Sequence, residues 1–401
     1  MSSRSIEVIV VGGGPVGLTA AVALASSGVE TGLVAKLARA SDNRTTALLA
    51  SSVTALETLG VWEHCRAHAA PLRVMRIIDD TARLLRAPEV HFAASEIGLD
   101  AFCHNIENVH LMAALDASAR ALPALTLVED EATAVTAADD RVTVTLKSGE
   151  LLVARLVIGA DGRKSLCRQA AGIATDSEPY RQTALTFNLG HTRPHNDCST
   201  EFHTESGPFT LVPLPGLRSS LVLVVAADEA GRVAALSADD LAAEIERRSH
   251  SILGRTIPEA GRGVFALSIE TARCFAVARI ALVGEAAHLL PPIGAQGLNL
   301  GLRDAAAISE LVVAARRLGT DLGTAELADR YNGARRMDVK SRALAVNMLN
   351  RSLLADFLPI QGMRGLGLYL LERVGPLRRA IMREGVWPHA AQPRLMRGQA
   401  L

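Results

Sequence analysis

The chain has 401 residues, 49% of them apolar and 21% charged, and its 42 basic and 42 acidic side chains cancel. That length supports two or more domains and a sizeable core, and the balance removes the net positive field that nucleic-acid binding draws on. The five cysteines, Cys65, Cys103, Cys167, Cys198 and Cys274, are widely spaced with no CxxC pair, which excludes a zinc pattern and a disulfide framework and points to a reducing cytosol.

The first apolar run, Ile6 to Val11, is too short for a signal core, and later runs are broken by charge or proline before the ~18 residues a membrane span needs. An integral membrane protein is not expected. Residues 6 to 36 read IEVIVVGGGPVGLTAAVALASSGVETGLVAK. Val8 to Val11 is a β-branched run suited to a buried parallel strand, and Leu18 to Ser26 continues as an alanine-rich helix that Gly28 ends. Thr31 to Ala35 follows as a second strand. Between strand and helix stands Gly12-Gly13-Gly14-Pro15-Val16-Gly17, a GxGxxG turn in the complete βαβ context that dinucleotide binding requires. Gly12 makes the tight turn, Gly14 admits the pyrophosphate, and Gly17 lets helix and strand pack closely.

One part of that fingerprint is absent. An acid is expected at the end of the second strand to hold the adenosine ribose, and that place reads Val34-Ala35-Lys36. Either backbone or water holds the ribose, or Lys36 takes part of the contact; adenosine binding is expected to be weaker than with the acid.

From Asp42 a polar loop carrying Arg44 precedes an expected amphipathic helix with Leu48, Leu49, Val53, Leu56 and Leu59 on one side. Arg44 reads as a solvated surface charge or as a counter-charge to a pyrophosphate. Residues 71 to 100 alternate like strands around Val74, Ile77, Ile78, Val90 and Phe92. A helix is expected over Asn108 to Leu122, and short strands over Leu125 to Val128 and Val142 to Leu146. The strand Leu156-Val157-Ile158 ends in Gly159-Ala160-Asp161-Gly162, with Arg163, Lys164 and Arg168 behind it. A carboxylate at the carboxyl end of a strand lies where open α/β sheets bind ligands, while Asp-Gly alone is equally an ordinary turn.

Residues 174 to 271 change texture, with strand-like pieces at Leu185 to Leu189, Phe209 to Leu214, Leu221 to Ala226 and Gly263 to Ile269, and one helix over Ala238 to Arg248. They predict a mostly antiparallel sheet inserted into the nucleotide-binding domain. Next comes IALVGEAAHLLPPIGAQGLNLGLRD, residues 280 to 304. A short buried strand leads to Glu285, then to a loop with Pro291, Pro292, Gly294 and Gly297, then to a helix through Leu298, Leu302 and Ala306. Such a handover leaves free N–H groups and partial positive charge at a helix start, suited to an electron-rich ligand. Helices are expected to Trp387. From Arg351 onward there are eight arginines against three acids. With Leu366, Leu368, Leu370 and Leu371, they read as a basic amphipathic face for a membrane surface or as the solvated face of a docking helix.

Three motifs stand in order: Gly12-x-Gly14-x-x-Gly17, Gly159-Ala160-Asp161-Gly162, and Gly284-Glu285-Ala286-Ala287-His288 leading to Gly294-Ala295-Gln296-Gly297-Leu298-Asn299. Together they resemble the class A flavoprotein monooxygenases. Within that group, the run His288 to Asp304 and Arg44-Thr45-Thr46-Ala47-Leu48 are similar to the ubiquinone-biosynthesis hydroxylases of the UbiH/UbiF/VisC type. The resemblance implies an α/β fold: a FAD-binding Rossmann-like domain of the glutathione-reductase type, an inserted, mostly antiparallel substrate sheet, and a C-terminal helical segment. The corresponding ranges are 1–72, 101–173 and 272–320 for the FAD domain, 73–100 and 174–271 for the substrate domain, and 321–401 for the helical region.

The resemblance also implies FAD as cofactor and NAD(P)H as co-substrate. Gly12, Gly14, Pro15 and Gly17 would hold the pyrophosphate with Arg44, and Lys36 would lie by the ribose. Asp161 and Gly162 match the family's DG motif. Glu285 takes the place of its usual Asp beside the ribityl chain, and Pro291, Gly294, Gly297, Leu298 and Asn299 would border the isoalloxazine. In that family O2 adds to the reduced flavin at C4a, and the hydroperoxide passes one oxygen to an electron-rich ring, the hard chemistry being the cofactor's. His288 reads as a base or as a structural group, and no catalytic side chain is assigned.

The implied substrate is a lipid-like polyprenylated phenol or quinone precursor. The implied setting is the cytoplasm, peripheral at the inner membrane face, in company with other ubiquinone-biosynthesis proteins. The alternatives are a monooxygenase of the same fold acting on a soluble aromatic and a non-catalytic flavin-fold subunit of a quinone-biosynthesis complex.

Overall fold

The computed structural model describes residues 3–36, 44–82, 86–292, 294–354, 373–386 and 392–401. At its centre is the strand Ser3–Val11, paired in parallel with Thr31–Val34 on one edge and Leu151–Gly159 on the other. Val8, Ile9 and Val10 are fully buried, as a strand covered on both faces must be. The sheet runs Ala276–Val277, Ile280–Leu282, Leu151–Gly159, Ser3–Val11, Thr31–Val34, Leu125–Val128. The long strand Leu151–Gly159 shares its outer edge: the hairpin strand Val142–Leu146 takes the first half and Ile280–Leu282 the second. All the parallel strands thus end toward the glycine turn, Asp161 and Glu285, which brings the three motifs to one edge of the sheet.

The helix Pro15–Ser26 follows the turn and packs along the 22-residue helix Gln296–Arg317. Small residues permit this approach. A Cβ on Gly301 would come within 2.7 Å of a Val16 methyl and 3.1 Å of the Gly284 Cα, so first helix, GEAAH turn and long helix meet at one point.

A second, nine-stranded sheet contains Gly263–Ala272, Thr175–His191, Arg218–Ala226, Pro208–Leu214 and Cys198–His203 in that order. It extends to Val74–Asp79 and Val90–Ala93 at one end and to His288–Leu289 at the other. Alternation sorts its faces. Leu185, Phe187, Leu189, Leu221, Leu223 and Val225 form a core with the helices Ala227–Ala234 and Ala238–Arg248, while Ala184, Thr186, Asn188, Ser220 and Val222 line a cavity. A three-stranded sheet of Thr45–Leu49, Cys103–Glu107 and Ala69–Leu72 is also present. The helices Ala325–Leu354 and Gly375–Val386 follow. Near the C-terminus, Leu395 and Met396 are buried, at 1% and 0% exposure, by the helix Ala50–Thr58.

Several elements differ from the sequence expectation, among them the unforeseen strands Cys103–Glu107 and Ala132–Ala137. Leu48 and Leu49 lie in a strand, paired with His104 and Cys103, and the helix starts only at Ala50; cross-strand pairing overrides a helix-like apolar spacing. The strand Cys198–His203 and the helix Ala227–Ala234 were not expected, the first because CSTEFH mixes polar residues, the second because it is only eight residues long. The leucines expected on a basic face, Leu366 to Leu371, lie outside the described residues.

Candidate active site

The GxGxxG turn is built by exclusion of side chains. Gly12 adopts φ +115°, and a Cβ there would strike the Ala160 carbonyl; one on Gly17 would strike the Gly12 carbonyl. Gly14 is exposed with nothing within 4 Å of its Cβ position. It N-caps Pro15–Ser26 with no side-chain hydrogen bond. An open N-terminus bounded by glycine is a place for an anion. Ala35 is buried at 7% exposure. The Lys36 ammonium beside it lies 2.5 Å from Glu131 Oε2, an ion pair half-exposed on both sides.

Asp161 accepts hydrogen bonds from the Ser165 hydroxyl at 2.6 Å and the Cys167 N–H at 3.0 Å, so its carboxylate fixes the start of the helix Leu166–Ala170. Gly162 makes the turn at φ +75°. Arg168 then donates to the Ala286 carbonyl at 2.8 Å and the Arg163 carbonyl at 2.6 Å, bolting the DG turn to the GEAAH turn. This tie was not foreseen; a lone arginine two turns past a DG carries no distinctive spacing.

Glu285 is exposed at the cavity rim. Its carboxylate, just beyond the strand Ile280–Leu282, is available to hydroxyl donors. Pro291 and Pro292 continue the rim. Gly294 and Ala295 have φ of +65° and +54°, and Gln296–Arg317 opens without a side-chain cap. Gln296 Nε2 donates to the Gly294 carbonyl at 2.9 Å. Gly297 and Leu298 are half-buried in the first turn. Asn299 is fully buried. Its Nδ2 donates to the Ala47 and Ala295 carbonyls at 2.8 and 2.6 Å, and its Oδ1 accepts from the Leu49 N–H at 2.9 Å. The Asn299 side chain therefore holds the helix start against the strand Thr45–Leu49 and leaves only main chain to offer a ligand.

Under this loop lies a buried charge network. His288 Nε2 is 2.6 Å from Asp304 Oδ2, which also accepts from the Gly284 N–H at 3.0 Å. Arg335 bridges Asp304 and Asp338 at 2.6 and 2.8 Å, and Arg303 joins Asp338 at 2.8 Å. Burial would raise the Asp304 carboxyl, but the charges of His288 and Arg335 outweigh it and hold it below the ordinary carboxylate range. Burial also pulls Arg303 down to about 10. His288, at 3% exposure, is thus a positioning group beneath the loop.

The cavity, about 350 Å³, opens between this loop and the face of the nine-stranded sheet that carries Ala184, Thr186 and Phe265. Its walls are largely apolar, with Phe265, Leu267, Leu289 and Leu290. Arg44, Arg163 and Glu285 stand at its rim, the Arg44 guanidinium 5.7 Å from the Phe265 ring centroid. Asn188, Ser220 and Phe265 were missed from sequence because strand alternation says which residues share a face, not what that face meets.

Comparison with known proteins agrees with this layout. Residues 5–344 match the family model described as FAD binding domain. The chain is 37% identical to the ubiquinone hydroxylase UbiL of Rhodospirillum rubrum, over 100% of this chain and 94% of that protein. It is 31% identical to the 3-demethoxyubiquinol 3-hydroxylase of Escherichia coli, over 96% and 99%. The crystal structure of p-nitrophenol 4-monooxygenase PnpA from Pseudomonas putida superposes with a TM-score of 0.79 at 19% identity, over 95% of this chain and 98% of that one.

Proposed function

This chain belongs to the FAD-binding monooxygenase family that includes the ubiquinone hydroxylases, and from that premise we propose that it hydroxylates the ring of a polyprenylated phenol or quinone precursor in ubiquinone biosynthesis. NAD(P)H is the reductant and O2 the oxygen source. The observation that carries the reading is the convergence of an open glycine-bounded helix start, a free-standing Glu285 and an apolar cavity at one sheet edge.

The residues present fit FAD. A pyrophosphate suits the N–H groups after Gly14 and Pro15, beside the space that Gly12 and Gly17 keep clear. Arg44 supplies a positive charge nearby, and Lys36 marks the adenosine end. Asp161 and Gly162 shape the turn that faces the cofactor. Glu285 would accept hydrogen bonds from ribityl hydroxyls, its extra methylene relative to aspartate having room at an exposed rim. Pro291, Gly294, Gly297, Leu298 and Asn299 would border the ring system, and the positive end of Gln296–Arg317 would favour negative charge there. When bound, FAD takes a hydride from NAD(P)H and activates O2 for transfer of one oxygen atom to an electron-rich ring. The chain's own contribution is to hold that ring in the cavity, exclude water with Phe265, Leu267 and Leu289, and fix the loop through Asn299 and His288.

No described helix is long and apolar enough to cross a membrane. A lipid substrate favours peripheral contact with the membrane. Leu377 and Ile381, exposed at 43% and 48% on one side of the helix Gly375–Val386, and Val374 just before it at 39%, support that part of the reading.

Purified protein is expected to be yellow and to oxidise NAD(P)H faster when a suitable phenol is added. A colourless protein that FAD cannot reconstitute removes the enzyme reading. Deleting the gene should make an under-hydroxylated quinone precursor accumulate, and normal quinone levels in the deletion strain refute the assignment to ubiquinone synthesis.

A further inference from the structure

Asn188 lies in the strand Thr175–His191, on the face that also carries Ala184 and Thr186 to the cavity, with Ser220 opposite it in the next strand. The residue is 2% exposed, and its amide has one allowed orientation: Nδ2 donates to Glu107 Oε1 at 3.0 Å. Glu107 is itself held. Arg218 donates to both of its oxygens, at 3.1 and 3.2 Å, and Glu259 holds Arg218 from the other side at 2.7 and 2.8 Å. Burial pushes the Glu107 carboxyl up, but the hydrogen bonds and charge of Arg218 outweigh it and keep the group below the usual range.

An ionised carboxylate has no proton to give, so reversing the amide would set two oxygens against each other. Asn188 Oδ1 is thereby committed as an acceptor, and it is buried with no hydrogen-bond partner. The neighbouring Ser220 hydroxyl accepts from Asn105 Nδ2 at 3.2 Å and makes no hydrogen bond to Asn188 Oδ1. An orphaned buried amide oxygen forfeits its hydration with no hydrogen bond in return. A chain that spends three further charged groups on fixing that orientation keeps the oxygen for a ligand.

We propose that Asn188 Oδ1 accepts a hydrogen bond from a hydroxyl on the substrate ring, so that the cavity takes phenols and hydroquinones in preference to the corresponding methyl ethers and quinones. This rests on the hydroxylase reading and adds to it the redox state of the substrate. A quinone carbonyl and an ether oxygen are acceptors only, and either one facing Oδ1 leaves it unpaired and repelled. A reaction that reduces the ring, or that leaves it as a phenol, must therefore precede this one.

The test titrates the FAD-loaded protein with 2-prenylphenol and with its O-methyl ether, following the flavin absorbance change on binding. The wild type is expected to bind the phenol about tenfold tighter than the ether. In Asn188→Ala the phenol should weaken by about that factor while the ether changes little, bringing the two near parity. The ether titration reports a folded cavity within the same protein. A wild type without preference, or a variant that keeps it, overturns the assignment and leaves the hydroxylase reading standing. A variant that loses both ligands alike makes Asn188 a wall residue, and the assignment falls. Wild-type flavin that responds to neither ligand overturns both readings.

Discussion

Two residues at the adenosine end depart from the usual nucleotide fingerprint in a way that has a measurable consequence. Ala35 stands where an acid would accept from ribose hydroxyls, and the next residue, Lys36, has its ammonium against Glu131. A cation has no lone pair for a hydroxyl hydrogen, so Lys36 cannot itself replace the missing acceptor. The pair is half-exposed and contributes little stability. Ala35→Glu is therefore expected to tighten FAD binding by about three- to tenfold, read from quenching of flavin fluorescence. No tightening would mean that the ribose already has its acceptor from another part of the chain. The same reasoning separates Glu285 from Asp161. Both were legible as carboxylates at strand ends, but Asp161 is consumed by Ser165 and Cys167 while Glu285 has no protein partner among the described residues. Asp161→Asn should lower the melting temperature along with FAD affinity, whereas Glu285→Gln should weaken FAD with little thermal change.

The helix Gln296–Arg317 and the loop before it depend on a few side chains that reach between elements. Asp304, about two turns into the helix on the buried side, holds Gly284, His288 and Arg335 at once. Because its carboxyl lies below the ordinary range in the folded chain, the stability it provides is complete above the ordinary carboxylate pKa and is lost as pH falls through the depressed one. Asp304→Asn removes the charge but keeps the shape, leaving Arg335 and His288 short of a counter-ion. A cost of roughly 3–5 kcal/mol follows, and a thermal melt unchanged from wild type at neutral pH would refute it. Much of this element was legible: the short strand at Ile280, the glycine loop and the apolar spacing from Leu298 all follow from periodicity and turn chemistry. The partners were not. Asn299 reads in sequence as a loop-border residue, yet its amide is spent on Ala47, Leu49 and Ala295. Its receiving strand, Thr45–Leu49, reads in sequence as the end of a polar loop running into a helix at Leu48, since a five-residue strand without strict alternation leaves no period to detect. Local pattern fixes what an element is; which side chain crosses to which neighbour is a tertiary fact that a single chain of letters does not encode.

At the scale of the whole molecule, the cavity exists only while two sheets keep their separation, and a polar bridge spans them. Glu107 ends a strand of the three-stranded sheet and is gripped by Arg218 and Asn188 of the nine-stranded sheet; Asn105, two residues earlier, donates to the Pro213 carbonyl at 2.9 Å. Around this bridge the contacts are apolar and nondirectional, through Ala47, Leu49, Leu72 and Val212, so it is the polar bridge that sets register. The folded-state carboxyl of Glu107 is depressed, despite the opposing effect of burial, by Arg218. Its contribution is thus fully present above the unfolded glutamate value and fades as pH falls through the folded one. Glu107→Gln should lower the melting temperature by a few degrees at pH 7, and the gap to wild type should narrow as pH falls below the ordinary glutamate value, because the unfolded glutamate takes up its proton first and the folded carboxyl follows at lower pH. A difference that stays constant over that range would show that shape at position 107, not charge, joins the sheets. Since the same carboxylate orients Asn188, the variant should also blunt the discrimination between 2-prenylphenol and its methyl ether at neutral pH. Thermal stability and ligand choice are then expected to fall together along one pH axis, a coupling that a bridge remote from the cavity could not produce.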